Sequence, residues 1–127
     1  MRTKIANFIN NNKITNYIKE VNDETNFTTL TIQTIGYVKS APIITTVEID
    51  SEGRIISFTS NTSRETYNDE YNSRWDTPNG HPNKVIPPRI IDEQNADVDG
   101  VAGATVTSDA IKAAAAIAFE YAKEVIK

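Results

Sequence analysis

Between Phe27 and Ser60 the chain is written in β-branched residues: FTTLTIQTIGYV, then APIITTVEID, then RIISFTS, with Ile43, Thr45, Val47 and Ile49 set two residues apart in the middle run. A branched Cβ fits a pleated surface better than a helix, and a period of two sends those four side chains to one face. Three strands are therefore expected. In the connector DSEGR, Asp50 to Arg54, Gly53 stands where a tight hairpin requires positive φ, so the last two strands should pair antiparallel. Gly36 and Pro42 flank a looser turn.

The sheet needs an apolar partner, and the C-terminal stretch supplies one. From Ser108 onward, Ile111, Ala114, Ala118, Tyr121 or Ala122, and Val125 fall on one helical face, while Lys123 and Lys127 suit the negative end of the helix dipole. Alanine favours helix and permits close packing. At the other end Ile5, Phe8 and Ile9, then Ile14, Tyr17, Ile18 and Val21, recur at spacings of three and four, which predicts one or two amphipathic helices over residues 1–26, broken near Asn10 to Asn12. Asn61 to Pro88 is polar and punctuated by Pro78, Gly80, Pro82, Pro87 and Pro88, and reads as a long loop with a helical stretch around Glu65 to Trp75. Ile90 and Ile91 suit a short helix ending before Asp97. The fold class is α+β: a small antiparallel sheet with an N-terminal helix or helices and a C-terminal Ala-rich helix packed on it. At 127 residues one domain is expected, residues 1–26 as a helical segment and 27–127 as the core.

Composition removes several classes of function. With 13 Lys and Arg against 17 Asp and Glu, and no basic run, the chain has no footprint for a nucleic-acid backbone. The absence of Cys excludes disulfides, thiolate metal sites and thiol catalysis, and the lone His81 excludes a multi-histidine metal site. No nucleophile–base pair stands out, so no catalytic residue is assigned; His81 reads as a solvated loop residue. Asn7 and the Asn10 to Asn12 run interrupt the apolar start, leaving no signal-peptide core or membrane span, and the chain as given reads as soluble. The sequence assigns no compartment, and removal of an N-terminal anchor would leave a place outside the cytoplasm open.

Twelve residues before the final helical pattern, DVDGVAGATVTS, hold two of the chain's 5 glycines, Gly100 and Gly103. A helix start leaves about four N–H groups without partners and about half a positive charge, which makes it an anion site. The glycines allow close backbone approach, Ala104 adds little bulk, and Thr105, Thr107 and Ser108 offer hydroxyls. The same residues also suit a plain helix cap by Thr107 or Ser108. Both readings remain open on pattern alone.

DGVAGATVTS resembles the flavin-attachment motif of the FMN-binding domain family, found in subunits of sodium-pumping NADH:quinone oxidoreductases and the related Rnf complexes. Asp99, Gly103, Ala104 and Thr105 match that motif, and Thr107 and Ser108 match the hydroxyls that usually follow; Ala102 stands where the family usually has Ser or Thr. The similarity extends through the GYVKSAPIITTVEID segment, a polar stretch, IPPRIIDEQNADVDGVAGAT and the Ala-rich helix. Glu65 and Thr66 match the start of the family's Glu-Thr-Pro-Gly segment, which continues here as Tyr67, Asn68 and Asp69.

The resemblance implies FMN as cofactor, held either reversibly or covalently at Thr105, its phosphate at Gly103 to Ser108 and its ring toward Thr66, with Tyr67, Tyr71 or Trp75 as an apolar wall. In the family the Thr at the position of Thr105 carries FMN through a phosphoester made by a separate flavin transferase. Nothing in DVDGVAGATVTS, which lacks His and Lys, would activate that hydroxyl without such an enzyme. The function implied is an electron carrier between larger redox proteins. The alternatives are a small flavin-dependent reductase, or an interaction or sensor module that has lost the flavin. In each flavin case the redox chemistry belongs to the cofactor and the protein positions it.

Overall fold

The computed structural model describes residues 16–36, 42–62, 82–101 and 105–126. Four strands, β1 (Tyr17–Asp23), β2 (Phe27–Thr34), β3 (Ile43–Asp50) and β4 (Ile55–Asn61), form one antiparallel meander in that order. Two α-helices follow, α1 (Pro82–Glu93) and α2 (Thr105–Tyr121), and α2 runs on as a π-helical turn over Ala122–Ile126. The α+β class holds, with the Ala-rich helix covering one face of the sheet.

The alternation that marked β3 is the pleat of the core face: Ile43, Thr45, Val47 and Ile49 are all buried, as are Thr28, Leu30, Ile32 and Thr34 opposite them on β2. Gly53 has φ 88°, as the hairpin requires, and Asp50 completes the turn by accepting the N–H groups of Glu52 and Arg54 through Oδ1, each at 2.9 Å. A register shift next to Ile55 keeps that residue buried while Ile56 turns out to solvent.

Tyr17 to Asp23 is a strand, not part of an N-terminal helix. The spacing of three between Ile18 and Val21 that suggested a helix comes from a β-bulge. Ile18 pairs with Ile32 and Val21 with Leu30, so four residues of β1 oppose three of β2 and both apolar side chains reach the same face. Residues 1–15 lie outside the described part of the chain. The second correction concerns the proline-rich stretch. Pro82, Pro87 and Pro88, read as loop, belong to α1. Pro82 opens the helix, where a missing N–H is harmless; Pro87 and Pro88 remove two interior donors, a loss offset by burial of Pro82, Ile86, Pro87 and Ile90.

Ile111, Ala114, Ala115, Ala118 and Tyr121 of α2 are fully buried, and this face lies on β2 and β3 while α1 lies on β4. The C-terminal end of α2 reaches the turns at Asp23 and Asp50, where Tyr121 lines a cavity with them. At 1.5 Å per residue α2 is about 25 Å long, close to the length of β2 and β3, so its amino terminus lies toward the other end of the sheet, where β2 finishes, β3 begins and β4 leaves. Among the described residues no helix is long and apolar enough to cross a membrane.

Helix α1 stops at Gln94, whose φ of 51° places it in the left-handed region while its N–H donates to Ile90 O at 2.8 Å. Its side chain then substitutes for a neighbouring strand: Oε1 accepts from Ile55 N at 2.9 Å, and Nε2 donates to Ile55 O and to Ile91 O, each at 2.8 Å. Gln94→Ala removes all three bonds, and we expect it to lower unfolding free energy by about 1–3 kcal/mol in urea denaturation; a variant as stable as the parent would contradict this tie.

Burial, and secondarily the Asp23 carboxylate, pushes the Tyr121 hydroxyl up to about 12 from 10.0. The unfolded chain gives up that proton near pH 10, so stability present below pH 10 is lost as pH rises toward 12. Denaturation midpoints should therefore fall more steeply over that window in the parent than in Tyr121→Phe, and parallel profiles would refute the assignment.

Candidate functional site

The start of α2 is built by three pieces of chain. The loop ahead of it is turned by Asn95, whose Oδ1 accepts from Asp97 N at 2.9 Å, and then runs past α1. Arg89 of α1 holds it there: Nη1 donates to Asp99 O at 2.9 Å and to Gly100 O at 3.4 Å. On the other side Val101 N donates to Ser108 Oγ at 3.0 Å. The loop is thus fastened to both helices.

Gly100 fits because it has no side chain. A Cβ there would stand 3.0 Å from Ser108 Cβ and 3.3 Å from its Oγ, so a side chain at this position would press on Ser108 and glycine eases the close approach of loop to helix.

Between these elements opens a cavity of about 530 Å³, with Thr105 on its wall beside Asp99, Gly100 and Ser108. Arg89 reaches it from α1, and Asp109 and Lys112 from α2. Thr105 is the first residue of α2 and is exposed, so a group bound to it meets the positive end of the dipole. Arg89 and Lys112 add two positive charges, Asp99 and Asp109 two negative ones. Exposed Val106, next to Thr105, adds an apolar patch at the helix start. Backbone donors, a guanidinium, an ammonium and a hydroxyl on one cavity form a set suited to an oxyanion such as phosphate.

Of the residues singled out in the sequence, the structure brings Asp99, Thr105 and Ser108 onto this one cavity. Ser108 is 1% exposed and engaged with the Val101 amide, so its hydroxyl secures the loop. The helix begins three residues earlier than the periodicity indicated, which puts Thr107 and Ser108 inside its first turn, both buried. Gly103, Ala104, Glu65, Thr66 and Trp75 lie outside the described residues, as do Ala102, Tyr67 and Tyr71.

Two members of the site escaped sequence reasoning. Lys112 follows Thr105 by seven residues, two helical turns, and the shared face was there to be read. Arg89 had no such signal, because its partners are backbone carbonyls ten and eleven residues away.

No curated protein and no solved structure matches the chain. The family described as FMN-binding domain matches residues 36–120, a span that takes in β3, β4, α1, the loop at Asp99 and α2 almost to its end. More than half of the chain is covered, including every element that builds the cavity. The chain belongs to the FMN-binding domain family, and FMN is its cofactor.

Proposed function

We propose that this domain is an electron-transfer module that holds FMN with its phosphate at the start of α2, joined as a phosphoester to Thr105 by a separate flavin transferase. The observation that carries the reading is the placement of Thr105: exposed, first in its helix, and on the cavity shared with Arg89 and Lys112. The donor set fits the group. Phosphate oxygens would find a helix amino terminus and two cationic side chains, with Gly100 on the same cavity wall.

FMN supplies the redox chemistry when bound; the chain anchors and orients it. Arg89 and Ser108 keep the loop fixed, Val106 offers apolar surface beside the anchor, and β4 leaves the sheet toward the end where α2 begins. The connection that follows β4 carries Thr66, Tyr67, Tyr71 and Trp75, and we assign the ring to that side.

Attachment forms a bond from Thr105 Oγ to the flavin phosphorus. The phosphorus–oxygen bond that would break is the phosphoanhydride of a flavin dinucleotide held by the transferase, with a nucleoside monophosphate as leaving group and a base of the transferase as acceptor of the Thr105 hydroxyl proton. An isolated threonine hydroxyl is a weak nucleophile at neutral pH, which is why an external enzyme is assigned this step. The other partners are redox proteins that deliver and remove electrons.

Intact-mass measurement after co-expression with a flavin transferase tests the linkage. We expect an increase of one FMN unit in the parent and in Thr107→Val, and none in Thr105→Val or in protein made without the transferase. An increase that persists in Thr105→Val refutes the site, and no increase in the co-expressed parent refutes the linkage.

A further inference from the structure

Among the described residues the cavity at the start of α2 has two cationic side chains, and neither is neutralised by a direct partner there. Arg89 uses Nη1 for the carbonyls of Asp99 and Gly100; among the described residues its Nε and Nη2 donors make no hydrogen bond or ion pair. Lys112, half-buried on α2, likewise makes none. Both line the cavity that Thr105 faces, and they reach it from different elements, Arg89 from α1 and Lys112 from the second turn past Thr105. An ion placed there has a cation on each helix.

The remaining charges work against an anion. Asp99 and Asp109 line the same cavity, so its four charged side chains sum to zero. A doubly charged phosphate ester therefore gains from the side chains only where the two cations stand nearer to it than the two carboxylates. Arg89 is suited to this, since a guanidinium already held through one nitrogen presents its other donors in a fixed plane, the geometry that phosphate oxygens accept. The loop carbonyls that orient it belong to Asp99 and Gly100, so the clamp on the loop and the aim of the free donors are set by the same contact.

We propose that Arg89 and Lys112 are the specificity-determining pair of this site, by which the domain distinguishes a phosphorylated flavin from one that lacks the phosphate. This rests on placement of the FMN phosphate at the start of α2. Arg89 acts twice, as clamp on the loop and as donor to phosphate oxygens; Lys112 acts as an unpaired charge. Contacts to the ring and the ribityl chain are common to FMN and riboflavin, so the ratio of their affinities isolates what the two cations contribute.

The test is titration of the full chain, produced without a flavin transferase, with FMN and separately with riboflavin, followed by flavin fluorescence. The parent should bind FMN more tightly. Lys112→Ala should weaken FMN roughly tenfold while leaving riboflavin unchanged, Arg89→Ala should weaken FMN roughly tenfold more than it weakens riboflavin, and added salt should erode the preference for FMN in the parent more than in either variant. Lys112→Ala breaks no hydrogen bond among the described residues and serves as the variant that leaves the loop clamp intact. An FMN-to-riboflavin ratio that both variants leave untouched overturns the assignment, as does equal weakening of the two ligands, which would reduce Arg89 to a loop clamp. A parent that binds FMN and riboflavin equally refutes the specificity while leaving flavin binding intact; one that binds neither overturns the pair's role in recognising free FMN and leaves the linkage at Thr105 to the mass measurement above.

Discussion

Close approach of α2 to β2 and β3, permitted by the small side chains of Ala110, Ala114, Ala115 and Ala118, fixes the line along which the helix runs and so the point at which its amino terminus arrives. A larger residue on that face would lift the helix from Leu30, Ile32 and Val47 and leave their surface without close contacts. Tyr121 and Ala122 seat the far end near the turns at Asp23 and Asp50. With that end fixed, the positive end of the dipole is delivered to the opposite side, beside α1. The candidate site follows from this packing before any polar contact is considered.

Polar contacts then turn an ordinary helix start into a shaped one. Ser108 takes the Val101 amide, Arg89 takes the carbonyls of Asp99 and Gly100, and the lack of a side chain at Gly100 lets the loop lie against Ser108. Together these contacts join the loop to both helices, so the wall of the cavity is set before a ligand arrives. Preorganisation of this kind removes part of the ordering entropy that binding would otherwise oppose. Ser108, read as a candidate helix cap, lies inside the first turn and instead secures the loop through the Val101 amide, while Thr105 at the head of the helix stays exposed.

What could be read in advance divides by range of interaction. The strands from Phe27 to Asn61 were legible because β-branched residues at period two report directly on the pleat, and Gly53 reported on the turn. Strand β1 was not, since its bulge between Ile18 and Glu20 breaks the period and leaves an interval of three that imitates a helix. Helix α1 was hidden by Pro87 and Pro88, whose local penalty is outweighed by burial against β4 that only the folded chain supplies. Within the site, Asp99, Thr105 and Ser108 sit in one continuous stretch and could be singled out; Arg89 acts across a tertiary contact through backbone carbonyls, which no side-chain pattern records.

The central claim is that the start of α2 receives the phosphate of FMN, and a structure of the full chain carrying FMN tests it most directly. The account predicts the phosphorus at Thr105, bonded to Oγ where a transferase has acted, within the cavity formed by Arg89, Gly100 and Lys112. A phosphate found elsewhere, for instance in the cavity at Asp23 and Tyr121 at the far end of α2, would contradict it.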